Sequence, residues 1–123
     1  MKATEIKCNN YVMLYNNVAR IIPNDFVKWS DEKWEMKDFK PIPLTEEWVL
    51  KFGFEREGNI NWWNMPKESS YKAHHLMEMV NAWTWFIDFD DTGDNTHLVS
   101  GFNYVHQLQN LYFALTNTEL EIK

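Results

Sequence analysis

The residues at positions 88–95 come closest in this chain to the spacing of a metal site. Asp88, Asp90 and Thr92 alternate, and a glycine follows at the sixth position, as in a calcium-binding loop. Such a loop needs a glutamate at its twelfth position, and Val99 stands there instead. The stretch therefore predicts a hairpin turn with solvated carboxylates, with a weak cation site as the alternative, and we expect no metal or other cofactor.

The histidines and the single cysteine do not match a catalytic or zinc-binding pattern. The four histidines are His74, His75, His97 and His106. No spacing among them is that of a zinc site, and Cys8 has no second cysteine as a partner. A nucleophilic triad can be written with Cys8 or Ser100, but neither lies in a nucleophile elbow. We therefore predict that the protein is not an enzyme.

Tryptophan is the most unusual feature of the composition, with 7 residues in a chain of 123. So many indole groups are difficult to enclose fully in one small core. Trp62 and Trp63 are neighbours, and on a β-strand their side chains point to opposite faces. We expect one of the two at the surface, where Trp often forms the centre of a protein interface. Burial of both between layers of the fold is the alternative.

The charge balance favours a protein partner over nucleic acid. The chain has 12 Lys and Arg against 18 Asp and Glu, a formal net charge of -6. Affinity for nucleic acid comes mainly from Lys and Arg, and the Lys residues of segment 28–40 are interleaved with acids. A partner with a basic surface is therefore favoured. Charge for solubility alone is the simpler explanation, and direct RNA binding remains an alternative.

Length and composition favour one folded domain covering residues 1–123. A chain of this size buries about two-thirds of its extended surface on folding, and the hydrophobic content of 45% supplies a core. The first residues lack the apolar run of a secretory signal, and no window has the about 18 apolar residues that cross a membrane. We therefore expect a cytoplasmic protein.

The C-terminal stretch has the clearest helical period. Apolar residues recur at spacings of three and four over 104–115, with polar residues on the opposite face. Asn103 is the expected N-cap, and Asn117 the expected left-handed residue at the end. Leu120 and Ile122 then alternate with glutamates, which predicts a short terminal strand. The apolar stripe comprises Val105, Leu108, Leu111, Tyr112 and Leu115, and the polar face comprises His106, Gln107, Gln109 and Asn110.

Most of the remaining chain has the pattern of short strands joined by tight turns. Turn residues at Asn16–Asn17, Gly58–Asn59 and 92–95 each separate two strand-like segments, which predicts three hairpins. Residues 71–80 are ambiguous, because their alternation fits a strand while several of them are tolerated in a helix. We favour the strand.

Residues 45–53 are the exception, with the pattern of a two-turn helix. Thr45 is the expected N-cap, and Gly53 supplies the left-handed terminus.

The elements together predict an α+β fold. In it, a strongly bent, partly barrel-like antiparallel sheet packs against the C-terminal amphipathic helix.

Three phrases of the chain are distinctive: Ile6–Val12, Pro41–Phe54 and Tyr104–Thr116. They resemble the corresponding phrases of a family of small proteins found in Bacteroidetes, their phages and integrated elements. The family usually has Gly where this chain has Asn9 and Asn117. Its function is unassigned, so the resemblance implies a mobile-element origin and supplies no catalytic residues.

The resemblance also implies a type of activity. At least one phage-derived protein of this bacterial group is an anti-CRISPR protein that acts on a type VI, RNA-guided RNA nuclease. By similarity, we expect a non-enzymatic inhibitor that binds such a CRISPR effector, or another defence nuclease, in the host cytosol. A self-assembling structural or regulatory phage protein and a small RNA-binding module are the alternatives. The expected partner contacts are Trp34, Trp62, Trp63, Asp88, Asp90, Asp91 and Asp94.

Overall fold

A computed structural model describes residues 7, 9–14, 17–20, 39–58, 61–67, 69, 71, 73–88 and 96–122. In chain order the elements are β1 (Tyr11–Leu14), β2 (Asn17–Arg20), β3 (Phe39–Lys40), α1 (Glu46–Lys51), β4 (Glu55–Arg56), β5 (Trp62–Asn64), β6 (His74–Glu78), β7 (Trp83–Asp88), β8 (Thr96–Phe102) and α2 (Val105–Thr116). They group into two compact units, which are described separately. The assignment of residues 1–123 to one domain stays a prediction.

The first unit contains a three-stranded antiparallel sheet in the order β2-β1-β3, together with α2. β1 and β2 form the first expected hairpin, with Tyr11 opposite Arg20 and Leu14 opposite Asn17. Asn17 is therefore the first residue of β2 rather than part of the turn. β2 begins one residue earlier in the chain than predicted. Asn16 lies outside the described residues.

The helix α2 confirms the predicted period, but its buried face differs from the predicted stripe. Val105, Leu108 and Tyr112 are buried as expected, while His106 and Gln109 of the expected polar face are also buried. Gln109 is buried because its side-chain amide forms hydrogen bonds with backbone groups. Its side-chain oxygen accepts from the Tyr11 N–H at 2.8 Å, and its amide group donates to the Asn9 carbonyl at 2.8 Å. A buried amide is stable here because it satisfies backbone groups.

The ends of α2 correct two other expectations. The N-cap is Tyr104, whose backbone N–H donates to the side-chain oxygen of Gln107 at 3.2 Å, so Asn103 is not the cap. Asn117 does end the helix in the left-handed conformation, with φ of 56°. No strand follows, because residues 118–122 have no strand pairing, and Leu120 is buried while Ile122 is exposed.

The second unit contains a five-stranded antiparallel sheet in the order β4-β5-β6-β7-β8. The second and third expected hairpins are confirmed as the pairs β4–β5 and β7–β8, and residues 74–78 form a strand as favoured. Gly58 connects β4 to β5 with φ of 60°, which suits a residue without a side chain. The turn at 92–95 lies outside the described residues.

The short helix α1 forms as its sequence predicts. The Thr45 hydroxyl accepts from the Trp48 N–H at 3.4 Å, and Gly53 is left-handed with φ of 93°. The Phe54 N–H then donates back to the Val49 carbonyl at 3.3 Å. The helix has only 6 residues and is not stable alone. Burial of Trp48, Val49 and Phe52 holds it in place.

The α+β fold class is confirmed, with a bent antiparallel sheet and a C-terminal helix. The larger sheet has a register shift between Trp85 and Phe86, where β7 pairs with β8, and an irregularity of this kind increases the local bend of a strand. The described strands do not close into a barrel, because β4 and β8 lie at opposite ends of their sheet. Neither described helix is long and apolar enough to cross a bilayer.

Candidate protein-binding surface

One face of the five-stranded sheet is a core face. Trp63 of β5 lies opposite Leu76 of β6, which lies opposite Trp85 of β7. Their exposed fractions are 1%, 0% and 0%. Trp63 also packs near Trp83, with ring centroids 6.0 Å apart. The side chain of Trp63 is therefore part of the core.

The opposite face of the same sheet carries half-exposed aromatic side chains. Trp62 lies beside His75, with ring centroids 4.8 Å apart, and stacks on Phe86, with centroids 6.0 Å apart and planes at 30°. We call Trp62, His75 and Phe86 the aromatic cluster. The His75 Nδ1 atom is 2.9 Å from the Asn64 side-chain oxygen, which orients the imidazole ring. The cluster is thus a positioned set of rings that solvent reaches.

An open cleft adjoins the aromatic cluster at the start of β5 and the end of β6. Its volume is about 360 Å³, and it is lined by Asn61, Trp62, Met77, Glu78, Met79 and Val80. Met79 and Val80 are 53% and 99% exposed. The two methionine side chains are flexible and polarisable, so they can adapt to an inserted group. The cleft is suited to an apolar side chain of a partner.

A chain of contacts lies next to the cleft and includes two of its lining residues. The Arg56 guanidinium is 3.8 Å from the Glu46 carboxylate and donates to the Asn61 side-chain oxygen at 3.4 Å. The Glu78 backbone N–H donates to the Asn61 carbonyl at 2.9 Å. Arg56 therefore links α1, β4 and the residue that precedes β5.

The Glu78 carboxyl group has a raised pKa. Burial is the main cause, and the neighbouring Glu46 carboxylate raises the pKa of Glu78 further. The positive charge of Arg56 opposes this rise in pKa. One oxygen of Glu78 is shielded from solvent with no hydrogen-bond partner among the described residues. The charged form of Glu78 is therefore disfavoured by partial desolvation and by a second acid nearby.

His74 occupies the core face, opposite to the face of His75. Its Nδ1 atom accepts from the Trp85 indole N–H at 2.9 Å, which requires that nitrogen to be unprotonated. Burial, and then the neighbouring His75, lower the pKa of His74. The ring of Tyr71 packs edge-on against it. His74 is therefore held as a neutral hydrogen-bond acceptor for a core tryptophan, and the two neighbouring histidines do not share one site, as the strand pattern predicted.

The structure brings together only part of the predicted contact set. Trp62 lies on the half-exposed face, whereas Trp63 is buried and Asp88 is only 7% exposed. The burial of Trp63 and Asp88 corrects their assignment as surface contacts. Trp34, Asp90, Asp91 and Asp94 lie outside the described residues. Among the residues that the structure describes, no three His, Cys, Asp or Glu side chains group as metal ligands.

Several residues of this surface were missed from sequence. His75 and Met77 share the face of Trp62 because β5 and β6 pair with Trp62 opposite Met77. The alternation of residues 71–80 predicts that His75 and Met77 share one face of a strand. It does not predict which strand pairs with theirs, so it does not place Trp62 beside them. The approach of Glu46 to Glu78 joins α1 to β6 and leaves no local signal in the sequence.

No family model, curated protein or solved structure matches this chain. The resemblance to small phage-type proteins of Bacteroidetes therefore stays a prediction.

Proposed function

We propose that this protein is a non-enzymatic binding protein, and that its aromatic cluster and the adjoining cleft contact a protein partner. The observation that carries the proposal is the stacked, half-exposed Trp62 beside an open apolar cleft. Trp is the side chain that most often contributes the energetic centre of a protein interface. A strand also fixes the indole in one direction, which lowers the entropy lost on binding.

The chemistry of the surface favours protein over nucleic acid. Neither the aromatic cluster nor the cleft contains a Lys or Arg residue. Binding of single-stranded nucleic acid combines stacked aromatic rings with positive charge along the backbone. Among the described residues, stacked rings are present in the cluster, while the positive charge nearest to the cleft is that of Arg56, which is paired with Glu46. An RNA-binding module is therefore the weaker candidate.

The partner we propose is a host defence nuclease, and specifically the RNA-guided RNA nuclease of a type VI CRISPR system. Two features support this choice: the phage-type phrases of the sequence and the net charge of -6. Nucleases that hold guide and target RNA present basic channels, and an acidic protein is attracted to such a surface. In this proposal the protein acts in the cytoplasm of the bacterial host and needs no cofactor.

The test is inhibition of a purified type VI effector loaded with its guide RNA, read as cleavage of a fluorescent reporter RNA. We expect the wild-type protein to inhibit cleavage and Trp62→Ala to weaken inhibition by about 30-fold or more, the loss of a hot-spot residue of about 2 kcal/mol. Leu50→Ala is the matched control. Leu50 is an exposed hydrophobic residue of α1, 58% accessible, and its loss should leave inhibition unchanged.

Three outcomes would contradict parts of this proposal. A wild-type protein that does not inhibit or bind the effector would exclude the proposed partner. An equal loss with Trp62→Ala and Leu50→Ala would exclude the aromatic cluster as the contact. Formation of a defined oligomer in light scattering, without effector binding, would favour the self-assembling phage protein.

A further inference from the structure

His74 contacts two aromatic rings at the start of β6. The Trp85 ring lies edge-on to its imidazole, with centroids 5.7 Å apart and planes at 84°. The Tyr71 ring is edge-on as well, with centroids 5.4 Å apart and planes at 87°. The imidazole of His74 therefore touches both a fully buried tryptophan and a tyrosine that solvent reaches.

One hydrogen bond fixes the protonation state that this arrangement requires. The indole N–H of Trp85 is a donor only, and its nitrogen is 2.9 Å from Nδ1 of His74. That imidazole nitrogen must be the acceptor, so the proton of the neutral ring is on Nε2. A protonated imidazole carries N–H on both nitrogens and would place two donors against one another. The bond to Trp85 and a charged His74 therefore exclude each other.

We propose that His74 and Trp85 form an acid-operated switch, in which uptake of a proton by His74 breaks its hydrogen bond to Trp85 and turns the imidazole toward solvent. The switch is closed at neutral pH, where His74 is uncharged and accepts from the indole. It lies within the five-stranded sheet, requires no partner and does not depend on the proposed function.

The burial of the two rings decides which of them moves. Trp85 is fully buried and lies opposite Leu76, which is fully buried as well, so the indole cannot turn toward water without opening the core. His74 is half-buried and is the first residue of β6. A charged imidazole is more stable in water than against apolar rings. The ring of His74 is thus the one that leaves, and its edge-on contact with Tyr71 is lost with it.

The titratable and charged neighbours of His74 do not favour its protonation. Burial is the first cause that lowers the pKa of His74, and the charge of His75, the next residue of β6, is the second. The described carboxyl groups of β6 and β7 are Glu78 and Asp88, and neither opposes this lowering of the pKa. β5 has no ionisable side chain, and the segment before β6 contributes the ring of Tyr71. His74 therefore stays neutral to a lower pH than an isolated histidine.

The lowered pKa of His74 sets the direction of the pH effect. Above 6.5, the ordinary pKa of histidine, the imidazole is neutral in both the folded and the unfolded chain, and its bond to Trp85 is fully present. As the pH falls below 6.5, the unfolded chain takes up the proton first, and the folded chain takes it up at its lower pKa. The side-chain bond between β6 and β7 is therefore lost in acid.

The indole N–H of Trp85 provides a direct readout. The full chain is labelled with nitrogen-15 at its tryptophan and histidine rings, and NMR spectra are recorded between about pH 4 and pH 8, on both sides of the ordinary histidine pKa. Trp85→Phe and His74→Asn assign the two resonances. At pH 8, we expect Nδ1 of His74 to be its unprotonated ring nitrogen. As the pH falls, the indole proton of Trp85 should shift upfield, with a midpoint below 6.5.

Two substitutions make the experiment specific. His74→Asn keeps a side-chain acceptor close to the position of Nδ1 and cannot titrate, so the acid-dependent shift of Trp85 should be lost. His75→Asn is the matched control on the opposite face of β6. It should retain the shift, with the midpoint moved to higher pH, because a charge that disfavours protonation of His74 is removed. Circular dichroism over the same pH range reports global unfolding.

Three results would overturn the switch. The first is a proton on Nδ1 of His74 at pH 8, and the second is a Trp85 indole resonance that does not change while His74 titrates. The third is a shift, or an acid unfolding transition, with the same midpoint in the wild type and in His74→Asn. The first two use the wild-type protein alone, so they decide the matter even where a variant does not fold. A failure of the switch leaves the proposed function standing, and a failure of inhibition leaves the switch standing.

Discussion

Glu78 is the described carboxyl group for which protonation and structure are most closely connected. Burial penalises its charged form, and the neighbouring Glu46 adds to this, so its pKa in the folded protein lies above the ordinary value of 4.5. The unfolded chain releases this proton as the pH rises past 4.5, while the folded chain still holds it. The folded state is therefore favoured below 4.5, and this contribution is lost as the pH rises through the folded pKa.

This linkage predicts the effect of Glu78→Gln on stability. A glutamine is uncharged at every pH and has nearly the same shape, so it imitates the protonated glutamate. We expect the free energy of unfolding to fall less steeply with pH in the variant, and to exceed that of the wild type at neutral pH by less than about 1 kcal/mol, since the pair is partly solvated. Urea unfolding between about pH 4 and pH 8 measures both effects.

The control for this prediction is Glu57→Gln, which removes one exposed carboxylate directly after β4. Its unfolding free energy should follow the pH dependence of the wild type. If Glu78→Gln instead destabilises the protein at every pH in this range, the carboxylate of Glu78 makes stabilising contacts that outweigh the penalty on its charged form.

At the scale of one element, β5 offers a matched pair of tryptophans. Trp63 is 1% exposed, while Trp62 lies on the half-exposed face of the same strand. We expect Trp63→Ala to reduce the free energy of unfolding by about 3–5 kcal/mol, because it leaves a cavity in the core. Trp62→Ala removes a side chain that solvent already reaches, so its cost should be much smaller.

Chemical denaturation of the two variants checks this prediction, and circular dichroism of each native state serves as the control for folding. Similar large losses for both variants would place Trp62 in the core as well. The weaker inhibition expected of Trp62→Ala would then have no interpretation as a lost contact.

The elements differ in how well the sequence predicts them. α1 follows from its own residues, because Thr45, Gly53 and the two glutamates of its first turn satisfy or stabilise its ends locally. Asn17, predicted as a turn residue, instead pairs with Leu14. The hairpin of β4 and β5 does follow from its turn residue Gly58, as α1 follows from its own residues. Such features are predictable because the interactions that stabilise them lie within a few residues of one another.

Contacts between distant residues are what the sequence does not predict. Gln109 is buried because Tyr11 and Asn9, which lie 98 and 100 positions earlier in the chain, supply its hydrogen-bond partners. Because glutamine is polar, the helical period predicts that Gln109 lies on the solvent-exposed face. The proximity of Glu46 to Glu78 is hidden for the same reason, since α1 and β6 are far apart in the chain. Gln109 shows that a polar side chain is buried where a remote group satisfies it.

At the scale of the whole molecule, the net charge of -6 gives the last prediction. Binding to a nuclease with a basic RNA channel would be accelerated by long-range attraction, and salt screens that attraction over about 10 Å at 0.1 M. The aromatic contact, in contrast, is apolar and is affected little by salt. We therefore expect raised salt to slow association while leaving dissociation nearly unchanged.

Surface plasmon resonance with the immobilised type VI effector separates the two rates. Raising the salt from about 0.05 M to about 0.5 M should reduce the association rate constant by about tenfold or more, because electrostatically steered association falls steeply with ionic strength. Trp62→Ala supplies the complementary case, since it should increase the dissociation rate and leave the salt dependence of association intact. A wild-type association rate that does not change with salt would contradict attraction to a basic surface. It would leave the aromatic cluster as the sole basis of partner recognition.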